Sequence, residues 1–287
     1  MAHPQIAAFA RLAGENSAPT RLLAGQKTLL SRTMHDIRYD EIHDELFVTN
    51  PFANAILAFR GDANGEEAPI RVIQGPRTQL LGNTDRLEVD PVHNEIFIPL
   101  HDRILVYPRT GNGDVAPIRV IRGPDTQLRA ATSVAVDRVR NLLVVGGSTS
   151  SPSREREITG GAVRLVHRGG RGGLLIFNRT DNGNVKPRAV IYGPKTEIIR
   201  ILQLRVHNGW IIASQPGRID EQEPVGAFVG IWSINDNGDI PPRWKIGGPK
   251  STLKKPRGIA LNPKNKELIV ADMRLNAVLT FYFPEIF

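Results

Sequence analysis

The chain contains no cysteine. That absence excludes a disulfide framework, thiolate ligation of zinc or an iron–sulfur cluster, and a cysteine nucleophile, because each needs sulfur. Aromatic residues make up only 6% of the 287 positions, a poor supply for a groove that stacks nucleic-acid bases. No uninterrupted apolar stretch approaches the roughly 18 residues that a membrane-spanning helix requires. The opening residues Met1-Ala2-His3-Pro4 lack the basic start and apolar run of a signal peptide. A Met set before an already processed N-terminus would read the same way, so the compartment is not fixed by this start.

Glycine, proline and arginine are what the chain has in quantity. It carries 27 Gly and 21 Pro, a formal net charge of +8, and 28 Arg against 9 Lys. The hydrophobic fraction of 40% is enough, at this length, to bury a real core. One domain over residues 1–287 is the expectation. The bias toward Arg points to a planar donor fork that fits phosphate, sulfate or carboxylate, whereas Lys acts as a point charge.

A repeat organises the whole sequence. Asn-Gly occurs at Asn64-Gly65, Asn112-Gly113, Asn182-Gly183 and Asn237-Gly238, and six residues before each Gly stands an aromatic: Phe59, Tyr107, Phe177 and Trp232. A Pro follows four residues after each Gly, and ten residues after it comes the Gly of Gly75-Pro76, Gly123-Pro124, Gly193-Pro194 and Gly248-Pro249. Phe9, Pro19 and Gly25 fit the same frame, with Gly14-Glu15 in place of Asn-Gly and Gln26 in place of the second Pro. Within one copy, short β-branched and aromatic runs alternate with Gly, Asn, Asp and Pro, the pattern of antiparallel strands. Asn-Gly supplies the positive φ of a tight hairpin. The expected unit is a four-stranded meander, and stacked meanders make a β-propeller.

Pro256-Arg-Gly-Ile-Ala-Leu-Asn262, Glu267-Leu-Ile-Val-Ala-Asp272 and Asn276-Ala-Val-Leu-Thr-Phe281 together resemble one repeat of the NHL propellers, within the wider lactonase-like and YVTN-type group. The resemblance implies an all-β propeller. It implies six blades in the usual case, whereas five inner strands are counted here, at 36–40, 86–90, 133–137, 203–207 and 258–262. A degenerate sixth blade would draw on the surplus strand and the insertion near 146–172.

The two ends of the chain overlap in repeat phase. The sequence begins on a third strand, Ile6 to Arg11, passes into a fourth at Pro19 to Ala24, and has a further third strand at Ala277 to Phe283. The expectation is that the N-terminal fourth strand completes the C-terminal blade and closes the ring, leaving one strand surplus. That surplus strand lies at the perimeter or pairs with another molecule by strand addition, giving a homo-oligomer.

Loops after the second and fourth strands share one face of a propeller. The Gly-Pro loops carry Lys27, Arg77, Asp125, Lys195 and Lys250 at one equivalent position, each followed by a hydroxyl residue that suits a turn. Two insertions, at about 146–172 and 215–226, fall on the same face. The first is expected to be a long loop rich in Arg154, Arg164, Arg168 and Arg171, and the second is acidic, with Asp220, Glu221 and Glu223. An anionic macromolecule or a protein is the expected partner. Some NHL domains bind single-stranded RNA on a basic face, which the resemblance brings forward as one candidate.

The inner strands hold a second candidate set. Arg38, Arg86, Glu88 and Arg205 stand where NHL-like repeats prefer small residues, and charges so placed must pair or be hydrated. They form either an ion-paired network between blades or a polar channel mouth. An enzyme of lactonase or lyase type would instead use His35, His101 or His207 with Asp36 and Glu88 as its catalytic groups. No metal motif or cofactor signature is present in the sequence, and His43 and His93 read as turn residues. The leading expectation is a non-catalytic binding or scaffold module, with a self-assembling structural protein as a third class.

Overall fold

Each Asn-Gly pair adopts the conformation its chemistry favours: Gly65, Gly113, Gly183 and Gly238 take φ values of 64°, 75°, 75° and 87°. In the computed structural model, which describes residues 4–32, 34–81, 84–148, 153–159, 162–168, 172–217 and 226–287, the strands flanking these turns pair antiparallel. The result is an all-β fold, a β-propeller of five antiparallel blades.

Strands β1 (Gln5–Ala8) and β2 (Arg21–Ala24) form a two-stranded sheet. The first blade is β3 (Ile37–Asp40), β4 (Glu45–Asn50), β5 (Ala55–Arg60) and β6 (Arg71–Gln74), and the second is β7 (Glu88–Asp90), β8 (Glu95–Leu100), β9 (Arg103–Pro108) and β10 (Arg119–Arg122). The third uses β11 (Ala130–Asp137) and β12 (Leu142–Ser148), then, after the hairpin β13 (Ser153–Thr159) and β14 (Ala162–Arg168), β15 (Gly172–Asn178) and β16 (Ala189–Ile191). The fourth is β17 (Gln203–His207), β18 (Trp210–Pro216), β19 (Ala227–Ser233) and β20 (Trp244–Gly247). The fifth is a three-stranded sheet of β21 (Pro256–Asn262), β22 (Glu267–Asp272) and β23 (Ala277–Tyr282).

The chain divides into two compact units, Met1–Leu100 with Leu105–Val120, and His101–Ile104 with Ile121–Phe287. In the first, Ile56, Ile73, Leu87, Ile96 and Tyr107 share one core cluster, while Leu23, Leu57, Phe59 and Ala63 share another. In the second, Val144, Ile176, Leu204 and Trp232 fill one core, and Ile231, Val270 and Ile286 fill the next. The repeat aromatics Phe59, Tyr107, Phe177 and Trp232 are fully buried, each worth about 1.5–3 kcal/mol of apolar burial.

Two expectations need correction. The N-terminal fourth strand was expected on the C-terminal blade; instead β2 takes β1 as its ladder partner, from Gln5↔Ala24 to Ala8↔Arg21, and the fifth sheet keeps three strands. The physical reason is proximity, because a short connection closes β1 on β2 at a small entropic cost. The segment near 146–172, expected as a loop, contains the antiparallel hairpin β13–β14, in register from Ser153↔Arg168 to Thr159↔Ala162. Neither segment builds a sixth four-stranded sheet among the described residues. Residues 218–225 of the acidic insertion lie outside the described residues.

Candidate functional site

The Gly-Pro turns are a single device used five times. Each fourth strand runs into a one-turn helix at Gln26–Thr28, Pro76–Thr78, Pro124–Thr126, Pro194–Thr196 or Pro249–Ser251, and Pro suits its first position because no amide is lost there. The residue after each turn is left-handed although it is never glycine, with φ between 55° and 63° at Leu29, Gln79, Gln127, Glu197 and Thr252. A hydroxyl holds this geometry. Thr78 Oγ1 donates to Gly75 O at 2.6 Å and accepts from Leu80 N–H at 3.2 Å. Thr28, Thr126 and Thr196 repeat both bonds. The hydroxyls therefore serve the backbone, as the turn chemistry implies.

Four of the turns are clasped by the hairpin of the following repeat. The amide of Lys27 donates to Glu66 Oε1 at 3.2 Å, that of Arg77 to Asp114 Oδ1 at 2.7 Å, that of Asp125 to Asn184 Oδ1 at 2.9 Å, and that of Lys195 to Asp239 Oδ1 at 2.7 Å. Parallel bridges Leu23↔Gly65, Ile73↔Gly113, Ile121↔Gly183 and Ile191↔Gly238 run beside them. Gly is required here for space as well as φ: a Cβ on Gly75 would stand 2.5 Å from Asp114 Cγ. Sequence reasoning missed these acceptors, although their signal is plain afterwards. A side-chain oxygen occurs seven residues after every repeat aromatic, at Glu66, Asp114, Asn184 and Asp239.

The basic positions ride on these fixed turns. Lys27 and Arg77 in the first unit, and Lys195 and Lys250 in the second, are exposed, and their side chains take part in no ion pair among the described residues. Asp125 differs, its Oδ2 accepting from Asn184 Nδ2 at 3.0 Å. Arg154, Arg164 and Arg168 lie on the β13–β14 hairpin, opposite His167, Glu157 and Ser153 in register. Arg171 lies outside the described residues.

The charged inner-strand residues of the first unit are brought together. Arg38 Nη1 donates to Asp36 Oδ1 at 2.7 Å and its Nε to Glu88 Oε2 at 3.3 Å, all three side chains being buried. Asp36 also accepts from the amides of Ile37 and Leu87, and Glu88 from that of Val89. Burial opposes the Arg38 charge, and Asp36 and Glu88 more than offset it, so its pKa lies above the ordinary arginine value. This triad joins the first strands of two consecutive blades. Arg86 is half-buried and donates to His35 O at 2.7 Å. Arg205, on β17 of the second unit, donates to Leu204 O at 3.0 Å.

The histidines separate by their place in the blade. His35 precedes a first strand and its Nδ1 meets Asp85 Oδ1 at 2.7 Å. His101 follows a second strand, its carbonyl accepting from Ala131 N–H. His207 ends a first strand, so it lies at the other end of its blade from the position His101 holds in its own, and its ring packs 5.1 Å from that of Phe287. Burial lowers the His207 pKa. His43 and His93 sit in turns whose Asp40 and Asp90 cap the backbone and hold the ring at 2.8 Å and 2.7 Å. Among the described residues no three His, Asp or Glu side chains are grouped to hold a metal ion.

No family model matches the chain, and no curated protein matches it. Among solved structures it is similar to hydrazine synthase of Kuenenia stuttgartiensis, at 9% identity and a TM-score of 0.55 over 91% of this chain and 58% of that one. It is also similar to Sqt1 of Saccharomyces cerevisiae, at 13% identity and a TM-score of 0.50 over 87% and 58%. The chain thus spans 58% of the length of each. At such identities the likeness bears on the fold alone, and the fold is the β-propeller that the NHL resemblance implied.

Proposed function

We propose that the protein is a non-catalytic binding or scaffold propeller whose Gly-Pro turns present Lys27, Arg77, Lys195 and Lys250 to an anionic partner. The observation that carries this reading is the contrast within each turn. The backbone of Lys27, Arg77 and Lys195 is clasped by a neighbouring hairpin, while each of the four side chains is exposed and engages no described residue. Cations held on a fixed frame lose little backbone entropy on binding. Arg154, Arg164, Arg168 and Arg171 of the insertion are proposed as further basic residues for the same partner. The partner class is a polyanion: nucleic acid, an acidic polysaccharide or an acidic protein surface. The NHL resemblance favours single-stranded RNA.

The test is titration of the purified chain with a fluorescent oligouridylate and with heparin at several salt concentrations. Binding should weaken steeply between about 50 and 200 mM salt. The quadruple variant Lys27→Ala, Arg77→Ala, Lys195→Ala, Lys250→Ala should lose most of it. Binding that ignores both salt and these substitutions overturns the reading.

A further inference from the structure

The first blade carries an aromatic that its own packing does not use. Phe59 lies fourteen residues after Glu45, whereas its equivalent Tyr107 lies twelve after Glu95, and the longer connection forms the one-turn helix Pro51–Ala53 between β4 and β5. Phe52 at its centre is 78% exposed. A phenyl ring left in water adds little to folding, because its contribution scales with the area removed from solvent. The turn that carries it is nevertheless fixed, with Asn54 closing it in the left-handed conformation and donating its N–H to Pro51 O.

Three side-chain bonds tie this turn to two of the repeat turns of the same unit. Asn50 Nδ2 donates to Leu29 O at 2.9 Å, and Asn50 Oδ1 accepts from Ser31 Oγ at 2.6 Å. On the other side Gln74 Nε2 donates to Ala53 O at 2.8 Å, one residue before Gly75-Pro76-Arg77. Leu29 is itself anomalous. It is 52% exposed and left-handed at φ 56°, where the other repeats hold Gln79, Gln127, Glu197 and Thr252. A leucine so placed carries the steric cost of a positive φ and recovers little by burial. Leu81, after the second turn, is 55% exposed. Lys27, Arg32 and Arg77 stand on the same stretches and are exposed, with no ion pair among the described residues. The carboxylates of Glu66 and Asp114 are taken up by turn amides.

We propose that Phe52 and Leu29 anchor a docking site for an acidic segment of a partner protein. Apolar side chains of the segment cover Phe52, Leu29 and Leu81, and its carboxylates meet Lys27, Arg32 and Arg77. This rests on the reading of the basic turns given above and narrows its partner. An aromatic anchor beside arginine is what interface cores favour, and a turn fixed before binding loses little entropy on contact. The cations set the sign of the partner's charge. The aliphatic side chains set its class, since a nucleic-acid base could stack on Phe52 but gains no stacking from Leu29 or Leu81.

The experiment is fluorescence anisotropy of the full chain with two labelled acidic peptides of equal charge, one carrying Trp and Leu and the other Ala in their place, with heparin and oligouridylate titrated in parallel. The Trp/Leu peptide should bind more tightly than the Ala peptide. Phe52→Ala should weaken it about tenfold, erase the difference between the peptides, and leave heparin binding and the unfolding midpoint unchanged. Leu29→Asn, which suits the left-handed turn, should weaken the same peptide without lowering the midpoint. Peptides that bind equally, or a Phe52→Ala variant that keeps the preference, overturn the proposal while intact heparin binding leaves the basic-turn reading standing. Loss of oligouridylate affinity in Phe52→Ala without any peptide preference assigns the ring to a base and overturns it too. Failure of heparin and both peptides to bind overturns the basic-turn reading together with this one.

Discussion

The Arg77 amide and the Asp114 carboxylate meet at 2.7 Å across 37 residues of sequence, and that bond fastens one blade of the first unit to the next. Asp114→Ala should lower stability by about 1.5 kcal/mol, the low end for a hydrogen bond to a charged group because this one is exposed. Asp114→Asn should retain most of it, since Asn184 makes the same bond at 2.9 Å in its own repeat. The urea midpoint of each variant checks this. Gly75→Ala should cost more than either, because its Cβ would collide with Asp114 at a φ of 137°.

The buried hydroxyl of Thr78 should matter more than its size implies. Thr78→Val keeps the volume but leaves Leu80 N–H unpaired and removes the hydroxyl from Gly75 O, which keeps only the bond from the residue-78 amide, for about 1–3 kcal/mol. Thr78→Ser should be nearly silent. Ser251, which is partly exposed, should tolerate Ala at a smaller cost, and thermal unfolding of the three variants ranks them.

Arg38 is the common partner of two buried carboxylates. Arg38→Ala should destabilise the chain by about 3–5 kcal/mol, the cost of leaving buried charge uncompensated. The triple change Arg38→Met, Asp36→Ala, Glu88→Ala should recover much of that loss. A triple variant as unstable as the single one would show that the triad is not what holds these strands.

Burial depresses the His207 pKa below its ordinary 6.5. The folded state therefore binds fewer protons there than the unfolded state. Stability from this residue is complete above about pH 6.5 and declines as pH falls through that value toward the folded pKa. His207→Phe, which keeps a ring against Phe287, should flatten the melting temperature between about pH 7.5 and 5. An unchanged pH profile in this variant would place the acid sensitivity elsewhere.

The repeat frame was legible because its chemistry is local. Asn-Gly, Gly-Pro and the buried aromatic each specify conformation within a few residues, so blade positions and inner strands were readable to within a few residues. The insertion was less so, since Arg154-Glu-Arg-Glu157 reads as a solvated run, while its pairing with Arg164 to His167 emerges only when two segments are set side by side. The clasps were hidden for a similar reason. Glu66 or Asp239 looks like an ordinary turn residue until the turn it serves, 39 or 44 residues earlier in sequence, is brought against it. The pairing of β2 with β1 escaped notice because sequence shows that a strand is a fourth strand without showing which third strand it meets.

The pairing of β12 with β15 continues from Leu142↔Asn178 to Ser148↔Gly172 without a register break, although the β13–β14 hairpin departs from between them. The blade thus treats everything between Ser148 and Gly172 as a single excursion whose entropic cost grows only slowly with its length. This makes the third blade a socket. A foreign loop or a small folded module grafted between these two residues should be carried by the scaffold without disturbing the strands that hold it.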